Sequence, residues 1–219
     1  MTIAIKVERG SRLRPSLRIE ASLPGMVCGV DEVGKGSWAG PLVVCVAVLA
    51  REVNEVDFLA RDSKSLSEKK RELIFDEVSR QCAAWALGSA TNTECDALGM
   101  SAAQRLATTR AFDTLAARGV RPDSAIVDGR WNFVSPNVPR VLMRVKADTE
   151  SLSVAAASVL AKVSRDRLMR EESSRHPHWA FGTNKGYPCN KHRNGLREHG
   201  VSPLHRVSWA FMENLGLRR

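Results

Sequence analysis

A chain of 219 residues that is 43% hydrophobic and 26% charged has the composition of a soluble globular domain and the length to bury a sizeable apolar core, which excludes disordered and fibrous architectures. Its longest apolar run, Leu42 to Ala50, is nine residues, far short of the roughly 20 that span a bilayer. A net charge of +9 points to a polyanionic partner.

The first 25 residues carry Lys6, Arg9, Arg12, Arg14 and Arg18 without a continuous apolar stretch, so they do not read as a secretory signal and a cytoplasmic protein is expected. A strand is predicted at about Met26 to Val30, followed by the glycine-rich stretch Gly34 to Gly40 and the β-branched run Leu42 to Leu49. Those two runs suggest an antiparallel pair. Ser65 with Glu68 forms a capping-box signal, and Leu73, Ile74, Val78 and Cys82 give the helix behind it an apolar face. Ala83 to Ala90 adds a third strand, and Met100, Ala103, Ala107, Ala111 and Leu115 trace a helix that stops at Gly119.

Ala125-Ile126-Val127 reads as a buried strand ending at Asp128-Gly129, and Arg140 to Val145 as another. After Asp148 comes the strongest helix, with Leu152, Ala156, Val159, Leu160 and Val163 on one face and alanines that permit close packing on a sheet. Two more helices are predicted, over Asn190 to His199 and from Pro203 onward, the latter capped by Ser202. This order implies an α/β fold, a mixed sheet flanked by helices with a C-terminal helical appendage, in one compact domain. From Lys162 onward there are 12 basic and 5 acidic residues, +7 of the net +9, and all five histidines. That segment is expected to face the polyanion, with Lys162, Arg165, Arg167 and Arg170 as solvated helix charges. The five cysteines are odd in number and lack C-x-x-C spacing, so they read as reduced thiols serving as small core residues.

Acids stand at three predicted element ends: Asp31 and Glu32 after the first strand, Asp128 after the Ile-Val strand, and Asp148 before the long helix. Each alone is explained by a hairpin lip, a turn or a cap. Together they would converge at one sheet edge, where ligand sites of α/β proteins lie. Gathered carboxylates need either raised pKa values or a cation, and hard oxygen donors suit Mg²⁺ or Mn²⁺. Two such ions about 4 Å apart support phosphodiester hydrolysis, so a metal-dependent nuclease is the reading that joins the acids to the basic charge. Gly29 to Lys35 also fits seven positions of a G-x-x-x-x-G-K phosphate loop, but Gly36 stands where a Ser or Thr is needed. His176, His178, Cys189 and His192 have mixed spacings and a single cysteine, which makes a poor zinc pattern.

The run Cys28-Gly29-Val30-Asp31-Glu32-Val33-Gly34-Lys35-Gly36-Ser37-Trp38-Ala39-Gly40-Pro41 resembles the N-terminal signature of the type 2 ribonucleases H, the bacterial ribonuclease HII family. Further likenesses follow in family order: Asp62 to Ser67, Val127-Asp128-Gly129, Lys146 to Ser158, Lys185-Gly186-Tyr187, and Ser202 to Arg206. The resemblance implies a ribonuclease H-like fold over 26–175, a helical substrate-binding part over 176–219, and an extension without family match over 1–25. It also implies an endonuclease that acts on the RNA strand of RNA–DNA hybrids and cuts 5′ to ribonucleotides embedded in duplex DNA, leaving a 3′-hydroxyl and a 5′-phosphate. Asp31, Glu32, Asp128 and Asp148 would be its catalytic, metal-binding acids, holding two Mg²⁺ or Mn²⁺ ions. Gly34, Lys35 and Gly36, standing for the family's Gly-Arg-Gly, would approach the ribose 2′-hydroxyl, Tyr187 would pack on the sugar and Lys185 would meet a phosphate. Lys35 departs from the family's arginine and keeps the charge but loses the bidentate fork. A monomer is expected. A non-catalytic nucleic-acid-binding protein on the same scaffold is the competing class, and the presence of all four acids argues against it.

Overall fold

The computed structural model describes residues 14–55, 57–58, 60, 66–209 and 212. A five-stranded sheet has the order β3-β2-β1-β4-β5, with β1 over Val27–Val33, β2 over Leu42–Leu49, β3 over Cys82–Ala90, β4 over Ser124–Asp128 and β5 over Arg140–Arg144. The first three strands form an antiparallel meander, and β4 and β5 run parallel to β1. β2 lies between β1 and β3 and is covered on both faces, which is why its sequence is an unbroken apolar run.

Two long helices sandwich the sheet. On one face α4 (Met100–Ala117) sets Ala103, Ala107, Ala111 and Leu115 against Val30, Val44 and Val127. On the other, α5 (Leu152–Arg175) sets Leu152, Ala156, Val159 and Leu160 against Val33, Cys45 and Ala47. Glycines bring both helices close. A Cβ at Gly29 would lie 2.1 Å from the backbone of Ser153, and one at Gly88 would lie 1.9 Å from that of Ala107. Cys28, Cys45 and Cys95 are buried and all five thiols are free.

Several expectations need correction. β1 continues through Val33, so Asp31 and Glu32 lie inside the strand and not after it; the continuous pairing Asp31↔Cys45, Glu32↔Val44 and Val33↔Val43 extends it. This also removes the phosphate-loop alternative, since Gly29 to Val33 is ladder and not loop. Helix α2 (Glu68–Arg80) is capped by Ser67, whose side chain accepts from the Lys70 amide; Ser65 and the rest of 61–65 lie outside the described residues. Its buried side is formed by Phe75 and Val78, while Leu73 is 73% exposed. Phe75 meets Trp85 edge to face at 6.0 Å, and this contact orients the helix. Cys82 opens β3 instead of closing the helix.

The short α3 (Asn92–Leu98) was not anticipated, although its capping box, Thr91 with Glu94, is written in the sequence. Nor was α1 (Arg18–Ala21), where Glu20 accepts from the Ser151 hydroxyl, the Ser153 amide and the Ser153 hydroxyl at the start of α5. An acid at a helix N-terminus is favourable, and it ties this pre-family segment to the core. In the C-terminal part, α6 (Phe181–Asn184) packs on the end of α5, and α7 (Asn190–His199) packs on the short 3-10 turn Pro177–Trp179 that follows it. Residues 203–209 form turns and no helix: Gly40 donates to the Leu204 carbonyl and Arg206 donates to that of Trp38. Their backbone groups bond across to residues 38–40, not along a helix. Among the described residues, no helix is long and apolar enough to cross a membrane.

Candidate active site

Asp31, Glu32 and Asp128 lie close together where β1 and β4 run side by side. Val30 pairs with Val127 in the parallel ladder, so Asp31 and Asp128 follow at adjacent positions of neighbouring strands. In a regular strand successive side chains alternate: Asp31 takes the α5 side, where Ser158 hydrogen-bonds to it, and Glu32 takes the other side beside Lys35 at 3.7 Å. Asp128 closes β4 and accepts from the Ala147 amide at 2.9 Å. That bond brings in the short 3-10 turn Ala147–Thr149, which carries Asp148, 2% exposed.

Electrostatics reflect the crowding. Burial, aided by the charges of Glu32 and Asp128, pushes Asp31 up to about 8, against the hydrogen bond from Ser158. Glu32 is also raised, by burial first and by Asp128, with Lys35 opposing. Among the described residues no three His, Cys, Asp or Glu side chains stand close enough to hold a metal ion as they are placed. The donor chemistry still suits a hard divalent cation: the donors are oxygens only, and burial and mutual repulsion disfavour the charged form of at least two.

Beside the acids lies the loop 34–41, locked from behind by two buried arginines. Arg165, 1% exposed, donates to the carbonyls of Pro41, Ala39 and Lys185 and to the Ser37 hydroxyl. Arg206 donates to the carbonyls of Lys35 and Gly40. Gly34 has φ +87° and no room for a Cβ, which would fall 2.3 Å from Arg165 Nε. In front the loop is open, because a Cβ at Gly36 would meet nothing within 4 Å. The Gly34 amide donates to the Tyr187 hydroxyl at 3.0 Å, and the Trp38 and Ala39 amides donate to the Gly186 carbonyl. The expected recognition loop and its tyrosine therefore form one unit.

Two expectations about basic residues change here. Lys185 is 4% exposed, with its ammonium on the Gly182 carbonyl at 2.6 Å and on Glu68 at 3.1 Å; it holds the Gly186-Tyr187 turn in place of reaching outward. Arg165 is not a solvated helix charge but the anchor of the loop. Its neighbours are also engaged, Lys162 with Asp166, Arg167 with Glu72, and Arg170 with Glu68 and Glu72. Much of the C-terminal positive charge is thus buried or paired within the chain, while Lys191, Arg193 and Arg197 of α7 are exposed. Nothing in the chain's periodicity marked Arg165 or Arg206 as buried.

The histidines serve packing. The Tyr187 carbonyl can only accept, so His192 Nδ1, 2.9 Å away, carries a proton. The Ser202 amide donates to His205 Nδ1, so His205 Nε2 carries the proton of the 2.9 Å bond to His192 Nε2. Burial, with His192 adding to it, lowers His205 to about 3. The unfolded chain, with an ordinary histidine near 6.5, takes up a proton first, so stability falls as pH drops from about 6.5 toward 3. The stability advantage of wild type over His205→Asn is expected to shrink by about 2 kcal/mol between pH 7 and pH 5. Denaturant titrations at the two pH values test this, and a constant difference would refute it.

Comparison with known proteins agrees with this fold. The family model described as ribonuclease HII matches residues 28–212. The chain is 42% identical to ribonuclease HII of Streptomyces avermitilis, over 92% of this chain and 86% of that protein. It is also 42% identical to ribonuclease HII of Jannaschia sp., over 90% and 95%. The crystal structure of ribonuclease H2 from Pyrococcus horikoshii superposes with a TM-score of 0.73 at 26% identity, covering 87% of this chain and 97% of that one. With the mixed sheet and its flanking helices in place, the chain belongs to the ribonuclease HII family and is a divalent-metal-dependent ribonuclease H, an endonuclease.

Proposed function

We propose that this enzyme cleaves the RNA strand of RNA–DNA hybrids and cuts 5′ to ribonucleotides embedded in duplex DNA, leaving a 3′-hydroxyl and a 5′-phosphate. Asp31, Glu32, Asp128 and Asp148 would hold two Mg²⁺ or Mn²⁺ ions. Such ions, when bound, supply charge neutralisation to the attacking and leaving oxygens of the phosphodiester. The protein's part is to keep four oxygen-donor side chains on rigid strand and turn positions and to set the loop 34–36 beside them. The backbone at Gly36 is open to a sugar edge, Lys35 offers a cation to a phosphate, and Tyr187 presents an aromatic face half-buried at the loop's end. Lys185 acts through Tyr187 by holding its turn.

One observation carries this reading: coupled carboxylates with raised pKa values adjoin a loop locked from behind and open in front. The test is to digest a duplex containing one ribonucleotide and a continuous RNA–DNA hybrid side by side, with Mg²⁺ and with Mn²⁺, and to map the ends. Cuts 5′ to the single ribonucleotide with 3′-hydroxyl ends are expected. Cleavage of the hybrid alone would remove the embedded-ribonucleotide part, and binding without scission in either metal would favour a non-catalytic binding protein.

A further inference from the structure

Helix α4 presents an apolar face of alanines to the sheet, yet Gln104 sits in that face with no exposure at all. Burying an amide without satisfying it costs about 1–3 kcal/mol, so this glutamine calls for a reason. Its carbonyl accepts the indole N–H of Trp131 at 3.2 Å, while its amide nitrogen has no hydrogen-bond partner among the described residues. The glutamine is therefore not part of a satisfied core network; its one bonded task is to hold an indole.

Trp131 stands three residues beyond Asp128, in a loop whose shape is preset. The Asn132 side chain accepts from the amides of Val134 and Ser135, and Phe133 and Val134 are buried beneath it. The indole is half-buried and gathers two cations. Lys35 Nζ lies 5.8 Å and the Arg105 guanidinium 4.9 Å from its ring. Arg105 is further steadied by the Ser135 carbonyl at 3.1 Å. Lys35 comes from the loop beside the acids and also faces Glu32 at 3.7 Å. One ring thus couples the open recognition loop, the end of β4 and helix α4.

Two like charges drawn to one ring repel each other and are relieved by an anion placed near both. An aromatic face is a good seat for a flexible lysine, which otherwise loses side-chain entropy on meeting a phosphate. We propose that Trp131, anchored by Gln104, is a positioning residue that presents Lys35 and Arg105 together to a backbone phosphate of the bound nucleic acid. This rests on the substrate class proposed above. It also accounts for a lysine at the position where the family resemblance has arginine: the indole supplies the ordering that a guanidinium fork would have supplied.

Binding of a short fluorescent RNA–DNA hybrid, measured by anisotropy over a salt series without divalent metal, tests this apart from cleavage. Trp131→Ala is expected to weaken binding about 5- to 10-fold and to lower the slope of log K against log salt by about one, as loss of a phosphate contact does. Trp131→Phe, which keeps the face, should recover affinity to within about three-fold of wild type. Lys35→Ala combined with Trp131→Ala should be no weaker than about the worse single variant, because both remove the same contact. An unchanged salt slope, a phenylalanine variant as weak as alanine, or additive losses would each overturn the proposal. Thermal melting of each variant separates unfolding from lost contact, and the binding result stands whether or not the wild type cuts embedded ribonucleotides.

Discussion

Asp31→Asn should lose hybrid cleavage by about 10³-fold or more, equivalent to about 4 kcal/mol of transition-state stabilisation, and at the same time become more stable than wild type without metal at alkaline pH. The second half follows from the raised pKa. Asp31 ordinarily ionises near 3.8 but is pushed up to about 8 in the fold. Between those values the folded state keeps a proton that the unfolded chain has released, so wild-type stability falls as pH rises through this window and levels off above about 8. Asparagine carries no such charge. The advantage of the variant should therefore open from about pH 4, reaching at most several kcal/mol above pH 8. Adding Mn²⁺ should then raise the stability of wild type more than that of the variant, since a ligand stabilises the state that binds it. Denaturant titrations at pH 5, 7 and 9, with and without Mn²⁺, check both trends beside the cleavage assay. Full activity in the variant would remove Asp31 from the catalytic set, and a variant less stable than wild type at pH 9 without metal would show that Asp31 is not held against a charge-repelling environment.

Arg165→Ala is expected to cost about 3–5 kcal/mol. Four bonds disappear at once, and the carbonyls of Pro41, Ala39 and Lys185 lose their buried cation. The loop 34–41 would loosen from its rear support, so cleavage should fall along with stability. Arg165→Lys should recover little, because one ammonium cannot reach acceptors spread over the loop and the Lys185 turn as a planar guanidinium does. Equilibrium unfolding of the three proteins decides this. A loss below about 1 kcal/mol for alanine would mean that water replaces the guanidinium at little cost.

Much of the architecture was legible in the chain because local pattern and final environment agree. The run Leu42 to Leu49 is apolar at every position because β2 is covered on both faces, and its boundaries match the observed strand. The helix Asn190–His199 begins and ends where it was expected. Where the two disagree, a partner distant in sequence intervened. Ser202-Pro203 carries the signals of a helix start, yet its segment turns and pairs with residues 38–40. Leu73 completes an apolar pattern but points outward, because Phe75 has Trp85 to meet.

The site divides in the same way. The four acids proposed as metal ligands stand out in the sequence because their places at or near strand ends are local facts, and the family resemblance falls on the same residues. How they are supported does not. Arg165, Arg167 and Arg170 look alike as helix charges, but one turns inward to tie the loop 34–41 while two cross to α2. Lys185 reads as an outward cation and is buried against Glu68.

The net charge of +9 shows the distinction most clearly. Its sum, its concentration in the last quarter of the chain, the acids that oppose it and the α/β order of elements are all legible in the chain, because they depend on residue identity and short-range period alone. Which charges are engaged within the molecule and which face outward is settled by the folded arrangement. A buried guanidinium or ammonium must be paired or bonded to repay its desolvation, and that accounting depends on groups more than a hundred residues apart, such as Arg165 with Pro41 and Arg206 with Gly40.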